Sequence, residues 1–153
     1  MTPRKVKRTT SPKAKSASSL SARVLSLARK LHPYQVQVRR HLHQRPELSN
    51  QEFDTTHFLT AELAKFGATC WKLKLPTGII AEVKGSSPGP TIAIRTDIDA
   101  LPIFEQNKIP FASKSPGKMH ACGHDAHMAT VLGTARLMSE LRDEFSGVVR
   151  FLF

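Results

Sequence analysis

Lys118-Met119-His120-Ala121-Cys122-Gly123-His124-Asp125-Ala126-His127-Met128 decides how the rest of the chain is read. These eleven residues hold three His, one of the two Cys and an Asp. Thiolate and neutral imidazole are the ligands that borderline-soft divalent metals prefer. Gly123 separates Cys122 from His124 and lets the backbone bend so that both side chains can face one centre. Ligand-type residues this dense are uncommon outside metal and catalytic sites. The plain alternative is a loop with a buried thiol and solvated imidazoles.

Downstream, Met128, Val131, Leu132, Ala135 and Met138 recur at helical spacing and predict a helix from about Asp125 to Arg142. Its first turn carries His124 and His127, so a packed helix would hold the ligand candidates in place. Gly147 then leads into a strand, Val148 to Phe153. Upstream, Thr91-Ile92-Ala93-Ile94 is wholly apolar and reads as a central strand covered on both faces. It runs into Arg95-Thr96-Asp97-Ile98-Asp99-Ala100-Leu101-Pro102. Two carboxylates at the end of a buried strand are costly unless paired or bound, and in open α/β sheets sites collect at strand C-termini. Loop carboxylates capping local amides are the alternative. Residues 103–117 form an excursion back to the His/Cys stretch.

Further out, Thr69 to Leu75 alternates partly, Pro76-Thr77-Gly78 is a turn, and Ile79 to Val83 is the partner strand of a hairpin. Gly85 to Pro90 is a second turn. Cys70, within a strand and far from other ligands, reads as a structural thiol. Ser49-Asn50-Gln51-Glu52 fits a capping box opening a helix to about Lys65. Phe53, Phe58, Leu59, Leu63 and Phe66 form its buried stripe, and Gly67 ends it. An amphipathic helix is predicted over Leu20–Leu31, and Pro33 starts a second segment, Tyr34–Gln44. His41 and His43, two apart, do not share a helix face. They read as surface or helix-end residues rather than ligands.

The net charge of +11 belongs to the head of the chain. Residues 1–46 hold 12 Lys and Arg and no acidic residue, whereas the remaining 107 hold 11 basic and 12 acidic side chains. Residues 1–19 read as a basic disordered tail, with an organelle transit peptide or a nucleic-acid arm as the alternatives. Residues 20–153 form one folded portion large enough for a sizeable core. No run approaches the roughly 18 apolar residues of a membrane span. Two Cys make no disulfide framework, which points to a reducing, cytoplasmic compartment unless the basic head directs organelle import. Two other functions compete with a metal site. One is a basic nucleic-acid-binding protein, disfavoured by the near-neutral body and a tail without interleaved aromatics. The other is a redox or nucleophilic thiol protein using Cys122 at a helix N-terminus.

Four segments taken in order resemble the metal-dependent amidohydrolases that include hippurate hydrolase, N-acyl-amino-acid amidohydrolases and plant indole-acetyl-amino-acid hydrolases, within the dizinc aminopeptidase-like group. They are Arg39-Arg40-His41-Leu42-His43-Gln44-Arg45-Pro46-Glu47-Leu48, Thr77-Gly78, Ile94 to Pro102, and Gly117 to His127. The likeness covers roughly residues 22–153. Thr96 and Ile98 stand where that family usually has Ala and Met. The resemblance implies a three-layer α/β sandwich with a mixed sheet, and cleavage of the amide bond of N-acyl amino acids. It also implies two divalent ions, Mn²⁺ or Zn²⁺, and a homodimeric full-length enzyme. Cys122 and His124 become metal ligands. Asp97 becomes the catalytic-site carboxylate that orients a ligating His, and His120, Asp125 and Asp99 become supporting residues. The family continues past this point with a Glu-Glu pair, base and ligand, with further His ligands, and with an inserted domain. The 153 residues therefore read as the N-terminal part of a longer enzyme, inactive alone, with an open sheet edge or helix face near the last strand.

Overall fold

A computed structural model describes residues 17–153. The expected tail therefore lies mostly outside the described residues, and residues 17–19 already belong to a helix. The elements run α1 (Ala17–His43), α2 (Phe53–Lys65), β1 (Thr69–Lys72), β2 (Ile79–Lys84), β3 (Ser87–Arg95), α3 (His124–Glu140), a 3₁₀ turn (Arg142–Glu144) and β4 (Ser146–Leu152). Among the described residues no helix is long and apolar enough to cross a membrane.

Two predicted helices are one. Pro33 lies inside α1 rather than starting a second segment. An internal Pro removes a backbone hydrogen bond and costs about 3 kcal/mol. Pro33 is exposed, so its lost bond faces water. Leu31 on one side of it and Val38 and Leu42 on the other are buried, which keeps the helix continuous. The start of α2 also departs from expectation. Glu52, not Ser49, is the N-cap, and no side-chain cap bond forms there. Instead Glu47 accepts hydrogen bonds from the amides of Asp54 (3.1 Å) and Thr55 (2.7 Å). Glu52 turns inward and accepts from Thr77 Oγ1 at 2.7 Å. Leu59 and Leu63 are fully buried, but Phe53 is 58% exposed and is not part of the stripe.

The sheet order is β1-β2-β4-β3, with β3 and β4 parallel and the other pairs antiparallel. This is the mixed α/β sheet the sequence predicted. Ile79, Ala81 and Val83 of β2, Val149 and Phe151 of β4, and Phe153 join Val38 and Leu42 of α1, Leu59 and Leu63 of α2, and Met128, Leu132 and Ala135 of α3 in one core. Alternate residues face the other way, where Arg150 donates from Nε (2.8 Å) and Nη2 (2.5 Å) to Glu82 Oε1. The predicted placement of Thr91–Ile94 as a central strand is corrected. Here β3 is the sheet edge, and Ile92 is 60% exposed. Among the described residues the two sheet edges are thus β1 and β3, while the last strand is internal to the sheet. Gly147 permits the close approach of β3 and β4. It sits at φ 88°, and a Cβ there would lie 2.1 Å from the Pro90 carbonyl oxygen.

A pH prediction follows from Glu62, buried between α1 and α2. Burial pushes its carboxyl up, but hydrogen bonds from Lys65 and Tyr34 and the charges of Lys65 and Arg136 outweigh it, so its pKa lies below the ordinary value. A depressed carboxylate contributes stability that is present above the ordinary Glu value of about 4.3 and lost as pH falls through the folded value. Glu62→Gln therefore lowers thermal stability at pH 7 and flattens the acid limb of the stability curve, measured by circular dichroism from neutral to acid pH. An acid limb identical to that of the parent chain contradicts this.

Candidate functional site

The site is assembled by the connection from β3 to α3. Parallel strands joined through a helix place the C-terminal ends of β3 and β4 and the N-terminus of α3 at one edge of the sheet. The connection doubles back on itself through an antiparallel bridge, with Leu101 N–H to Met119 O at 2.9 Å and Met119 N–H to Leu101 O at 3.0 Å. A second tie runs from Ala100 N–H to Glu47 O at 2.7 Å. Asp99, next to these ties, is thereby delivered to the start of α3.

There His124 Nδ1 lies 3.0 Å from Asp99 Oδ1 and 2.9 Å from the Asp99 carbonyl oxygen. Both are acceptors, so Nδ1 carries the proton and Nε2 is left with its lone pair. The carboxylate facing His124 is Asp99; Asp97, expected to orient a ligating His, makes its contact elsewhere in this structure. Asp97 forms an ion pair with Arg95 and is 43% exposed. Asp99 lies two residues nearer the Leu101–Met119 bridge, which brings it to the start of α3. A cleft of about 310 Å³ opens beside both carboxylates, lined among others by Glu52, Thr77 and Thr96.

Cys122 is an exposed free thiol in the turn before α3. Gly123 is the α3 N-cap, at φ 85° and ψ 14°. Its carbonyl oxygen accepts from the amides of Ala126 (3.0 Å) and His127 (3.1 Å). No atom lies within 4 Å of where its Cβ would be, so Gly is required for conformation and not for space. Gly123→Ala is expected to cost about 1–2 kcal/mol, the cost of a left-handed residue with a side chain. Chemical denaturation checks this; a loss under a few tenths of a kcal/mol contradicts it.

Of the expected supporting residues, Asp125 joins a buried network. Asp125 is fully buried, and its Oδ2 lies 2.8 Å from His43 Nδ1 and 3.3 Å from Arg39 Nε. The other His43 nitrogen, Nε2, lies 3.1 Å from Glu105 Oε1. Glu105 also accepts from the Ser113 amide at 2.5 Å and from Asn107 Nδ2 at 3.1 Å. Burial pushes the Glu105 carboxyl up, but these donors and His43 bring its pKa below the ordinary value. His120 is buried with neither ring nitrogen hydrogen-bonded, and Asp125 Oδ1 is likewise unpartnered. Burial holds the His120 pKa below the usual imidazole value, against the pull of Asp125.

Sequence reasoning missed His43 and Glu105. It placed His43 at a surface or helix end, and the residue does end α1, but it is buried. No local pattern marks a partner 82 residues away. His41 stacks on Phe58 at 4.2 Å and takes no part. His127 is exposed, its ring 6.0 Å from that of His124. Cys70 is partly buried, and burial raises its thiol pKa. Among the described residues no three His, Cys, Asp or Glu side chains are gathered as a complete metal-binding group.

Residues 93–153 match the model of peptidase family M20/M25/M40. An N-acyl-L-amino acid amidohydrolase of Geobacillus stearothermophilus is 52% identical over 115 residues, which are 75% of this chain and 31% of that protein. An N-acetyl-L-cysteine deacetylase of Bacillus subtilis is 52% identical over 116 residues, 76% of this chain and 28% of the relative. The chain thus spans about a third of the length of these relatives. A Bacillus subtilis structure described as a dinuclear metal-binding peptidase of the M20 family superposes with a TM-score of 0.78 at 50% identity, covering 82% of this chain and 35% of that one. The Legionella pneumophila LapA aminopeptidase (TM-score 0.61, 12% identity, 95% of this chain and 40% of that one) shares the fold alone. Through residues 93–153, set on the β3–α3 connection and β4 of a mixed α/β sheet, the chain thus carries a stretch of peptidase family M20/M25/M40.

Proposed function

We propose that this chain is the part of a metal-dependent amidohydrolase that supplies two ligands of a two-cation site, and that the whole enzyme cleaves the amide bond of N-acyl amino acids. The observation that carries the reading is the Asp99–His124 contact. It fixes the tautomer and ring angle of His124 and leaves Nε2 as a ligand, as partners of ligating imidazoles do. The exposed Cys122 thiol, one residue before the α3 N-cap, is the second donor. The donor set fits part of a site for Zn²⁺ or Mn²⁺, with thiolate favouring Zn²⁺. It does not complete one, since about four ligands are usual and no group of three or more is assembled among the described residues. The remaining ligands and the general base come from the rest of a longer protein. When bound, such cations polarise the amide carbonyl and lower the pKa of bound water.

Within this chain, Asp99 holds the proton on His124 Nδ1 and Gly123 sets the turn. The 310 Å³ cleft beside Asp97 and Asp99 receives the substrate. The names of the relatives support an N-acyl amino acid as that substrate. The exposed thiol before a helix N-terminus also suits a nucleophilic or redox Cys. One experiment separates the readings. Zn²⁺ or Mn²⁺ should slow alkylation of Cys122 in the purified chain, and His124→Ala should raise the metal concentration needed by more than about tenfold. Alkylation indifferent to metal favours the thiol reading and overturns ours. The longer enzyme, not the 153-residue chain, should release glycine from hippurate in the presence of the metal.

A further inference from the structure

His43 is buried with both ring nitrogens facing carboxylates, Asp125 on one side and Glu105 on the other. The three residues come from three different segments. His43 ends α1, Glu105 lies in the 103–117 excursion, and Asp125 is in the first turn of α3, directly after His124. The excursion is also tied to the end of α1 by Phe111, whose ring lies 5.8 Å from that of His43 and under Arg39 and Arg40, and just past α1 by Lys114 N–H to Gln44 O (3.0 Å) and Gln44 Nε2–H to Pro110 O (3.2 Å, exposed). The side chains of His43, Glu105 and Asp125 are only 5%, 4% and 1% exposed. Hydrogen bonds to a carboxylate shielded this way are stronger than those between neutral groups and directional. Asp125 Oδ1 has no partner and Arg39 is half-exposed, so His43 is the buried group that fixes the Asp125 carboxylate.

We infer that His43 is a positioning residue: by clamping Asp125 to Glu105 it sets the place and orientation of the turn that presents Cys122 and His124 to a cation. This rests on the metal reading above for its consequence, but the clamp itself is a matter of geometry. Through it the end of α1, far away in sequence, controls the ligand turn.

The test uses the purified 153-residue chain and Zn²⁺ as the probe, read as the Zn²⁺ concentration that halves the alkylation rate of Cys122, with Cys70 as the internal control. His43→Ala should raise that concentration about tenfold or more, the usual effect of removing a residue that supports a ligand. His43→Gln, which keeps a side-chain N–H donor, should recover part of the loss. Val83→Ala, a core change in β2, should lower thermal stability and leave the Zn²⁺ concentration unchanged. If His43→Ala lowers stability but leaves Zn²⁺ protection as it was, or if Val83→Ala weakens protection equally, the inference is overturned. If Zn²⁺ protects Cys122 in none of the proteins, the metal reading fails, and amide hydrogen exchange then decides the clamp. Faster exchange confined to residues 120–127 in His43→Ala supports it, and exchange that is unchanged or uniformly faster overturns it.

Discussion

Asp125→Ala should destabilise the chain by about 3–5 kcal/mol, the usual cost of removing one partner of a buried ionic pair. For a chain of this size that is a fall in Tm of roughly 10 °C. The cost lies in what the deletion strands. Asp125 is fully buried and its Oδ2 faces His43 Nδ1 at 2.8 Å. Its second partner, Arg39, is 49% exposed and can turn to water. His43 cannot, because its side chain is 5% exposed. The loss therefore concentrates on the buried His43 Nδ1, while Nε2 keeps Glu105. Two further measurements make the claim specific. Asp125→Asn preserves the shape and one acceptor, so it should cost less than the Ala variant. Adding His43→Phe to Asp125→Ala removes the stranded group and should recover part of the stability, as interacting sites do in a double-mutant cycle. Additive losses in thermal melts would show that the two residues do not act as a pair.

Phe151→Ala should cost about 3–5 kcal/mol as well, by a different route: a large side chain is lost and a cavity is left. Phe151 is fully buried, pairs in register with Ala81 of β2 and Ile94 of β3, and stands in the same core as Leu59, Met128 and Leu132. Ile92→Ala provides the contrast. It is an apolar truncation in the neighbouring strand, but Ile92 is 60% exposed at the sheet edge, so its loss should stay within about 0.5 kcal/mol. Urea denaturation of both variants tests the strand order directly. Equal losses would mean that β3 is covered and Phe151 is not the inner residue.

These two residues also mark the limit of what could be read from the chain alone. The segments were legible because each carries its own periodicity. The 3.6-residue spacing from Met128 to Met138 placed α3, and the turn residues Pro76-Thr77-Gly78 placed the β1–β2 hairpin. The density of His and Cys in residues 118–128 marked the candidate site for the same reason, since ligand chemistry resides in residue types that stand close together in sequence. Pairings between distant segments were not legible. Whether Asp97 or Asp99 meets His124 depends on the Leu101–Met119 bridge, which delivers one carboxylate to α3 and leaves the other to Arg95. The cap of α2 comes from Glu47 rather than Ser49 because the chain before the helix folds back onto its first amides. Thr91–Ile94 has the composition of a covered strand, yet strand order is decided by partners, and here β4 takes the inner place.

Residue types and spacing alone placed a Cys122–His124 turn at the head of a helix in an α/β fold. That information is local, and it survives in any arrangement of the segments. Only the tertiary structure decided which carboxylate orients His124 and that His43, from the end of α1, clamps the turn from behind. Hydrogen bonds between residues 25 and 82 positions apart exist only once the backbone has brought them within about 3 Å.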